Sequence, residues 1–112
     1  YHHYAVVSLD LDERERIVAD LGNREFMLMR YHVTLTVGGY CVVAYLSMFY
    51  LERACTMQIR ALAGGVDICE PPQGAAAKAA EQSKGLFDGT VAPIAWPALV
   101  RKMTRLDDSF LN

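Results

Sequence analysis

Residues 26–62 read FMLMRYHVTLTVGGYCVVAYLSMFYLERACTMQIRAL. The part up to Val37 is apolar or β-favouring, with charge only in its first half, which is typical of a strand pair or one long buried strand. Gly38 and Gly39 interrupt that pattern. From Cys41 to about Ala63 the apolar spacing becomes helical and predicts one long helix. The stretch thus predicts a β-favouring segment followed by one long helix.

The predicted long helix has two unlike sides. Its expected inner stripe consists of Ala44, Met48, Leu51, Cys55, Ile59 and Leu62. Polar residues gather on another side, namely Glu52, Arg53, Thr56 and Arg60. Because the first half is apolar almost all round, we expect it to be buried on every side, by this chain or by a neighbour.

The residues before this stretch predict a short strand and a helix. Residues 4–9 (YAVVSL) are rich in β-branched and aromatic side chains, as a short strand would be. The next segment has helical spacing, with Asp10 or Asp12 as the cap and Gly22 as the end. Its expected inner face consists of Leu11, Ile17, Val18 and Leu21.

The residues after the long helix predict two more helices. Residues 75–85 (AAAKAAEQSKG) form an alanine-rich segment of good helix propensity. The tail places Pro97 at the start of a last helix, because proline suits a first helical position. The expected inner face of that helix consists of Leu99, Val100, Met103 and Leu106.

Composition bounds the class of protein. The 112 residues are one domain's worth of sequence, and 53% hydrophobic residues with a net charge of −2 are typical of a globular chain that is neither disordered nor basic. We expect no nucleic acid partner. The cysteines at 41, 55 and 69 show no metal-binding or redox spacing, so we expect reduced core residues of a cytoplasmic protein. The first residues lack the features of a signal peptide, and a chain beginning at Tyr1 suggests a piece of something longer.

A membrane span is an alternative for Tyr31 to Leu51. This run carries no formally charged side chain and could cross the roughly 30 Å hydrocarbon core of a bilayer. Its two threonines, its serine and the glycine pair that divides it favour a folded domain instead.

Two segments resemble the class II aldolase/adducin family, specifically the C-terminal half of its domain. They are LMRYHVTLTVG at 28–38 and YLERACTMQIRALAGG at 50–65. In that family a strand ends in RNHG, a second closes in TVG, and a long helix carries LERAC-x-x-Q. The resemblance covers nearly all of residues 1–112. It implies a partial three-layer α/β/α domain, with a few mostly antiparallel strands packed with one long and several shorter helices.

The resemblance assigns a metal-binding role to His32. The histidine of the family's NHG motif is one of three that hold a divalent metal, usually zinc, and His32 occupies its position. The other two come from an upstream H-x-H motif, and a glutamate acid/base comes from the same region; neither is found in this chain. His2 and His3 are no substitute, because adjacent side chains on a strand point to opposite faces. The sequence therefore assigns no catalytic residue.

The resemblance implies part of a metal-dependent lyase for small sugar phosphates or hydroxy acids, not active by itself. It also implies a cytoplasmic homo-oligomer, commonly a tetramer, with a small-molecule substrate and no membrane. Tyr31 and Val33 replace the family's Asn and Gly, which favours an alternative, a non-catalytic adducin-like scaffold or oligomerisation module. A single-span membrane protein is the third possibility. Independently of the family, His32 could be a buried core histidine.

Overall fold

The computed structural model describes residues 1–3, 11–83 and 85–111. The predicted strand at 4–9 and the predicted cap Asp10 lie outside these residues. The chain is mixed α/β, as predicted. In order, its elements are β1 (His2–His3), α1 (Leu11–Leu21), β2 (Phe26–Arg30), β3 (Thr34–Thr36), α2 (Cys41–Ala63), α3 (Ala75–Gln82) and α4 (Ala92–Leu106). A π-helical turn at Phe87–Val91 precedes α4, and a 3₁₀ turn at Ser109–Leu111 follows it.

The chain forms two compact units, Tyr1–Gly64 and Gly65–Asn112. The first, here called the sheet unit, contains the strands with α1 and α2. The second, here called the helical unit, contains α3 and α4.

The sheet unit contains a mixed sheet in the order β1, β2, β3. β1 runs parallel to β2, and β2 pairs antiparallel with β3. The prediction of a strand pair before the glycines is therefore confirmed, while the sheet is mixed rather than mostly antiparallel. The division into three layers stays a prediction.

The buried apolar side chains described in the sheet unit come from β2 and from the start of α2. Met27 and Met29 are buried from β2, since alternate residues of a strand share one face. Val42, Val43 and Leu46 are buried from α2. Burying side chains of this size contributes roughly 1.5–3 kcal/mol each. Among the described residues, three of these five core side chains come from the apolar first half of the long helix.

The buried face of α2 differs from the predicted stripe. The buried residues are Val42, Val43, Leu46 and Ser47, whereas Ala44 and Met48 are only half-buried. The reason lies in β3, whose threonines bond to the helix along the predicted stripe. Thr36 Oγ1 donates to the carbonyl oxygen of Ala44 at 2.9 Å. These polar contacts occupy the side of the helix that spacing assigned to the core.

The face of α1 was also predicted wrongly. Leu11 and Val18, both expected inside, are exposed by about two-thirds, while Glu13 is buried. The cause is an ion pair between Glu13 and His2, which periodicity of apolar residues cannot reveal. The helix ends at Leu21 and Gly22 follows with φ 55°, as a glycine stop predicts.

In the helical unit, α3 is confirmed and the start of α4 is corrected. α4 begins at Ala92, with Pro93 in its first turn and Pro97 inside the helix rather than at its start. Pro93 occupies the position that tolerates a missing N–H, and Pro97 removes one hydrogen bond from the helix interior. Within this unit Leu99 and Val100 are half-buried, while Met103 and Leu106 are exposed.

Two further expectations concern the cysteines and the membrane. Cys41, Cys55 and Cys69 are free, but Cys41 and Cys69 are exposed rather than core residues, because they lie at the start of α2 and in the segment after it. The run 31–51 is divided between a turn, β3 and α2. In the described parts of the chain, no helix has the length and apolar character needed to cross a bilayer.

Candidate functional site

His32 lies in the tight turn that joins β2 to β3. Its backbone N–H donates to the carbonyl oxygen of Met29 at 3.2 Å, and the N–H of Met29 donates to the carbonyl oxygen of Val33 at 2.9 Å. Tyr31, at the third position of this turn, has φ 64°, in the left-handed region that favours glycine or asparagine. The turn therefore presents His32 at the end of a strand pair, on a backbone set by local hydrogen bonds.

The imidazole of His32 is exposed and lies beside an open groove of about 430 Å³. The groove is lined by Leu28, Met29, His32, Val33, Thr34 and Glu52. The exposure of His32 shows that the buried-core interpretation of this residue is wrong. A solvent-accessible imidazole and a carboxylate therefore share one concave surface, and its volume is in the range of small-molecule sites.

Glu52 is held in this groove by Thr34. Thr34 Oγ1 lies 3.0 Å from Glu52 Oε1 and 3.3 Å from Met48 Sδ. The hydroxyl has one proton, and the carboxylate is the stronger acceptor, so the bond to Glu52 dominates. Spacing along α2 placed Glu52 on the helix surface, and no local pattern relates it to His32. The contact between β3 and α2 brings the two side chains to one groove.

The described residues of the groove supply one candidate ligand for a metal ion, the imidazole of His32. Nowhere in the described ranges do three His, Cys, Asp or Glu side chains form a group that could hold a metal ion. A catalytic zinc ion takes three protein ligands and keeps one position open, so further ligands would have to come from other residues. His32 offers an exposed imidazole, which suits a divalent metal. The metal-binding role of His32 stays a prediction.

His2 belongs to a separate buried cluster. Its Nε2 lies 2.8 Å from Glu13 Oε1, and its Nδ1 lies 2.8 Å from Asp20 Oδ2. Arg16 Nη1 donates to Glu13 Oε2 at 2.7 Å. The hydrogen bonds to Glu13 and then Asp20 raise the pKa of His2, since both bonds favour the imidazolium. With both ring nitrogens occupied by carboxylates, His2 has no nitrogen to offer a metal.

The adjacent histidine points away from this cluster. His2 is buried and His3 is exposed, which confirms that the two side chains lie on opposite faces of the strand. The pair therefore cannot chelate one ion together.

A second groove follows the outer side of α2. It is lined by Tyr45, Met48, Phe49, Glu52, Arg53 and Thr56. The guanidinium of Arg53 stacks over the Phe49 ring at 5.3 Å. Tyr45, Phe49 and Tyr50 are each exposed by nearly half, so this half of the helix is covered on one side only within the described residues. Burial of the first half of α2 on every side, as predicted, would require a neighbouring molecule.

Comparison with known proteins relates nearly the whole chain to one family. A protein named "Putative aldolase class 2 protein" from Caulobacter vibrioides is 42% identical over 105 residues, which are 94% of this chain and 41% of the relative. A protein of the same description from Pseudomonas aeruginosa is 35% identical over 113 residues, which are 98% of this chain and 44% of the relative. The chain therefore spans about two-fifths of the length of these relatives.

A solved structure agrees with these relatives. The crystal structure of an aldolase II superfamily protein from Pseudomonas syringae matches with a TM-score of 0.82 and 42% identity, covering 94% of this chain and 42% of that one. No family model matches the sequence. Identity and fold agree in the two comparisons that do match, and both cover nearly the whole chain. The chain belongs to the class II aldolase family.

Proposed function

We propose that this chain is part of a metal-dependent lyase that cleaves carbon–carbon bonds in small sugar phosphates or hydroxy acids. Membership of the class II aldolase family supports the reaction class. The single observation that carries the proposal is the exposed His32 imidazole, which lies in a groove together with a carboxylate. In this proposal His32 supplies one ligand to a divalent metal, with zinc as the first candidate.

The bound metal would act as a Lewis acid that stabilises the negative charge left on the substrate after cleavage. The contribution of this chain is to hold one imidazole on a turn that is fixed by the backbone hydrogen bonds among Met29, His32 and Val33. The remaining ligands and the proton donor are expected from residues outside this stretch. A cytoplasmic homo-oligomer, tetrameric as is common in the family, completes the proposal.

The experiment is a cleavage assay on the full-length protein. Aldehyde release is measured from a panel of ketose 1-phosphates and hydroxy acids, before and after removal of metal with a chelator and again after addition of zinc. We expect activity to need the metal and to be lost in His32→Gln. The matched control is His3→Gln, because His3 is also an exposed histidine of the sheet unit but lies outside the groove.

A non-catalytic scaffold is the second candidate. The apolar side of α2 that remains exposed, with Tyr45 and Phe49, is the observation that favours an assembly role. If the parent protein binds no metal and cleaves nothing on the panel, and yet assembles through α2, the scaffold is the better account. Tyr45→Glu, which places a charge on that face, should then reduce the oligomeric state.

A further inference from the structure

We propose that the Glu52 carboxylate is a positioning group for His32, accepting the imidazole N–H that faces away from the bound metal. The inference rests on the proposed metal role of His32 and names a second residue of the same groove. Glu52 would not touch the substrate; it would act through the orientation of His32.

The composition of the groove supports this pairing. Of the six described residues that line it, His32 and Glu52 are the two with ionisable side chains, and the others are Leu28, Met29, Val33 and Thr34. Among the described residues, the groove thus offers His32 one carboxylate, which is the acceptor that metal-bound histidines commonly use. The two side chains come from different elements, since His32 lies in the turn before β3 and Glu52 lies in α2.

The hydrogen bond from Thr34 uses one oxygen of the Glu52 carboxylate and leaves the other able to accept a hydrogen bond. Thr34 Oγ1 bonds to Oε1 at 3.0 Å and fixes the side chain toward β3. Among the residues that the structure describes, none donates a hydrogen bond to the other oxygen, Oε2. A carboxylate that is anchored by one oxygen and offers the other is suited to orienting a neighbouring ring.

The chemistry gives the pairing a measurable consequence. A histidine that binds a metal through one ring nitrogen carries a proton on the other. A carboxylate acceptor for that N–H selects the tautomer, fixes the ring orientation and makes the ligand nitrogen more basic. Loss of such a partner typically weakens metal affinity by about 10-fold to 100-fold.

The competing interpretation is that Glu52 only clamps β3 to α2 through Thr34. Two variants separate these roles. Glu52→Gln keeps an oxygen that can accept from Thr34, so the clamp survives while the charge is lost. Thr34→Val keeps the charge of Glu52 and removes the hydroxyl that forms the clamp. A positioning role makes Glu52→Gln the more harmful change for metal binding, and a clamp makes Thr34→Val the more harmful.

The experiment measures the zinc dissociation constant of the full-length protein by competition with a chromophoric chelator. The parent is compared with Glu52→Gln, Thr34→Val and the control Glu81→Gln, which makes the same change on the exposed surface of α3. We expect zinc binding to weaken about tenfold or more in Glu52→Gln. We expect less weakening in Thr34→Val and none in the control, with the metal-free melting temperature of Glu52→Gln close to that of the parent.

Unchanged zinc affinity in Glu52→Gln overturns the positioning role and leaves the metal role of His32 standing. The positioning role also fails if Thr34→Val weakens binding as much and both variants lose melting temperature together. Should Glu52→Gln fail to fold, Glu52→Asp keeps the charge but withdraws it by one methylene, and parental zinc affinity in that variant also overturns the proposal. A parent protein without zinc would overturn the metal role itself.

Discussion

Tyr31 adopts a backbone conformation that its side chain does not favour. Its φ of 64° puts it in the left-handed region, and its side chain is 96% exposed, so no packing in the described residues offsets the strain. Tyr31→Asn should stabilise the protein by about 1 kcal/mol, because asparagine tolerates this region far better. Thermal unfolding of the two proteins measures the difference.

The control for this variant is Tyr45→Asn, which makes the same exchange at a half-exposed tyrosine in the helical backbone of α2. That change should not stabilise the protein, since asparagine is a poor helix former. Equal melting temperatures for Tyr31→Asn and the parent would show that the turn relaxes around the tyrosine at no cost.

The His2 cluster predicts a pH dependence of stability. The pKa of His2 is raised above its ordinary value of 6.5, chiefly by the Glu13 bond, and that of Asp20 is lowered below 3.8 by His2. The His2 contribution is complete below about pH 6.5 and disappears as pH rises through the raised pKa. The Asp20 contribution disappears as pH falls below 3.8 through the lowered pKa. Urea unfolding between about pH 5 and 9 should show declining stability on the alkaline side.

The matched variants for this prediction are His2→Gln and His3→Gln. The first should flatten the alkaline decline, because the titrating group is gone, and the second should preserve it, because His3 is exposed on the other face. A decline of the same size in His2→Gln would assign the pH dependence to other groups.

At the scale of single residues, the family motif predicts His32 as a site residue. The sequence does not predict that Glu52 lies in the same groove, nor that His2 forms a cluster with carboxylates. The reason is physical. A metal-ligand motif is local in sequence, whereas Glu52 reaches the groove through a contact between β3 and α2. Likewise, Glu13 is buried by a partner eleven positions away in the chain. Apolar periodicity carries no information on such polar pairings.

For the sheet unit, the sequence predicts where the long helix begins and ends better than it predicts which side of that helix is buried. The bounds of α2, Cys41–Ala63, follow from the spacing and from the glycine pair before it. The face of α2 that is buried was missed, because Thr34 and Thr36 of β3 direct their hydroxyls to the helix. Local sequence determines where a helix begins and ends, while the neighbouring strand selects its buried side.

The glycine pair offers a test at the scale of elements. A methyl group at Gly38 would lie 2.7 Å from the backbone N of Ala44 and 2.9 Å from Cβ of Val43. Gly38→Ala should therefore destabilise the sheet unit by roughly 1–3 kcal/mol, because the backbone at residue 38 and the first turn of α2 would have to move apart. The chemical denaturation midpoint measures this.

Gly39→Ala is the control in this experiment, since a methyl group there meets nothing within 4 Å. It should change stability by no more than about 0.5 kcal/mol. Equal effects at the two glycines would contradict the close approach of Gly38 to the first turn of α2.

At the scale of the whole molecule, the division into two units predicts where a protease cuts first. Residues 65–74 contain no helix or strand and are exposed, and they include Asp67. Limited digestion with an endoprotease that cleaves before aspartate should cut between Val66 and Asp67 before it cuts at Asp12 or Asp20, which lie in α1. Mass spectrometry identifies the first fragments. Earlier cleavage within α1 would show that this helix opens more readily than the segment at 65–74.

The central proposal is that His32 holds a divalent metal on the turn between β2 and β3. The most direct test is the metal content of the purified full-length protein and of His32→Ala, determined by inductively coupled plasma mass spectrometry after dialysis. We predict close to one zinc or other divalent ion per chain in the parent and a large loss in His32→Ala. A parent protein without bound metal, or a variant that retains all of it, would contradict the claim.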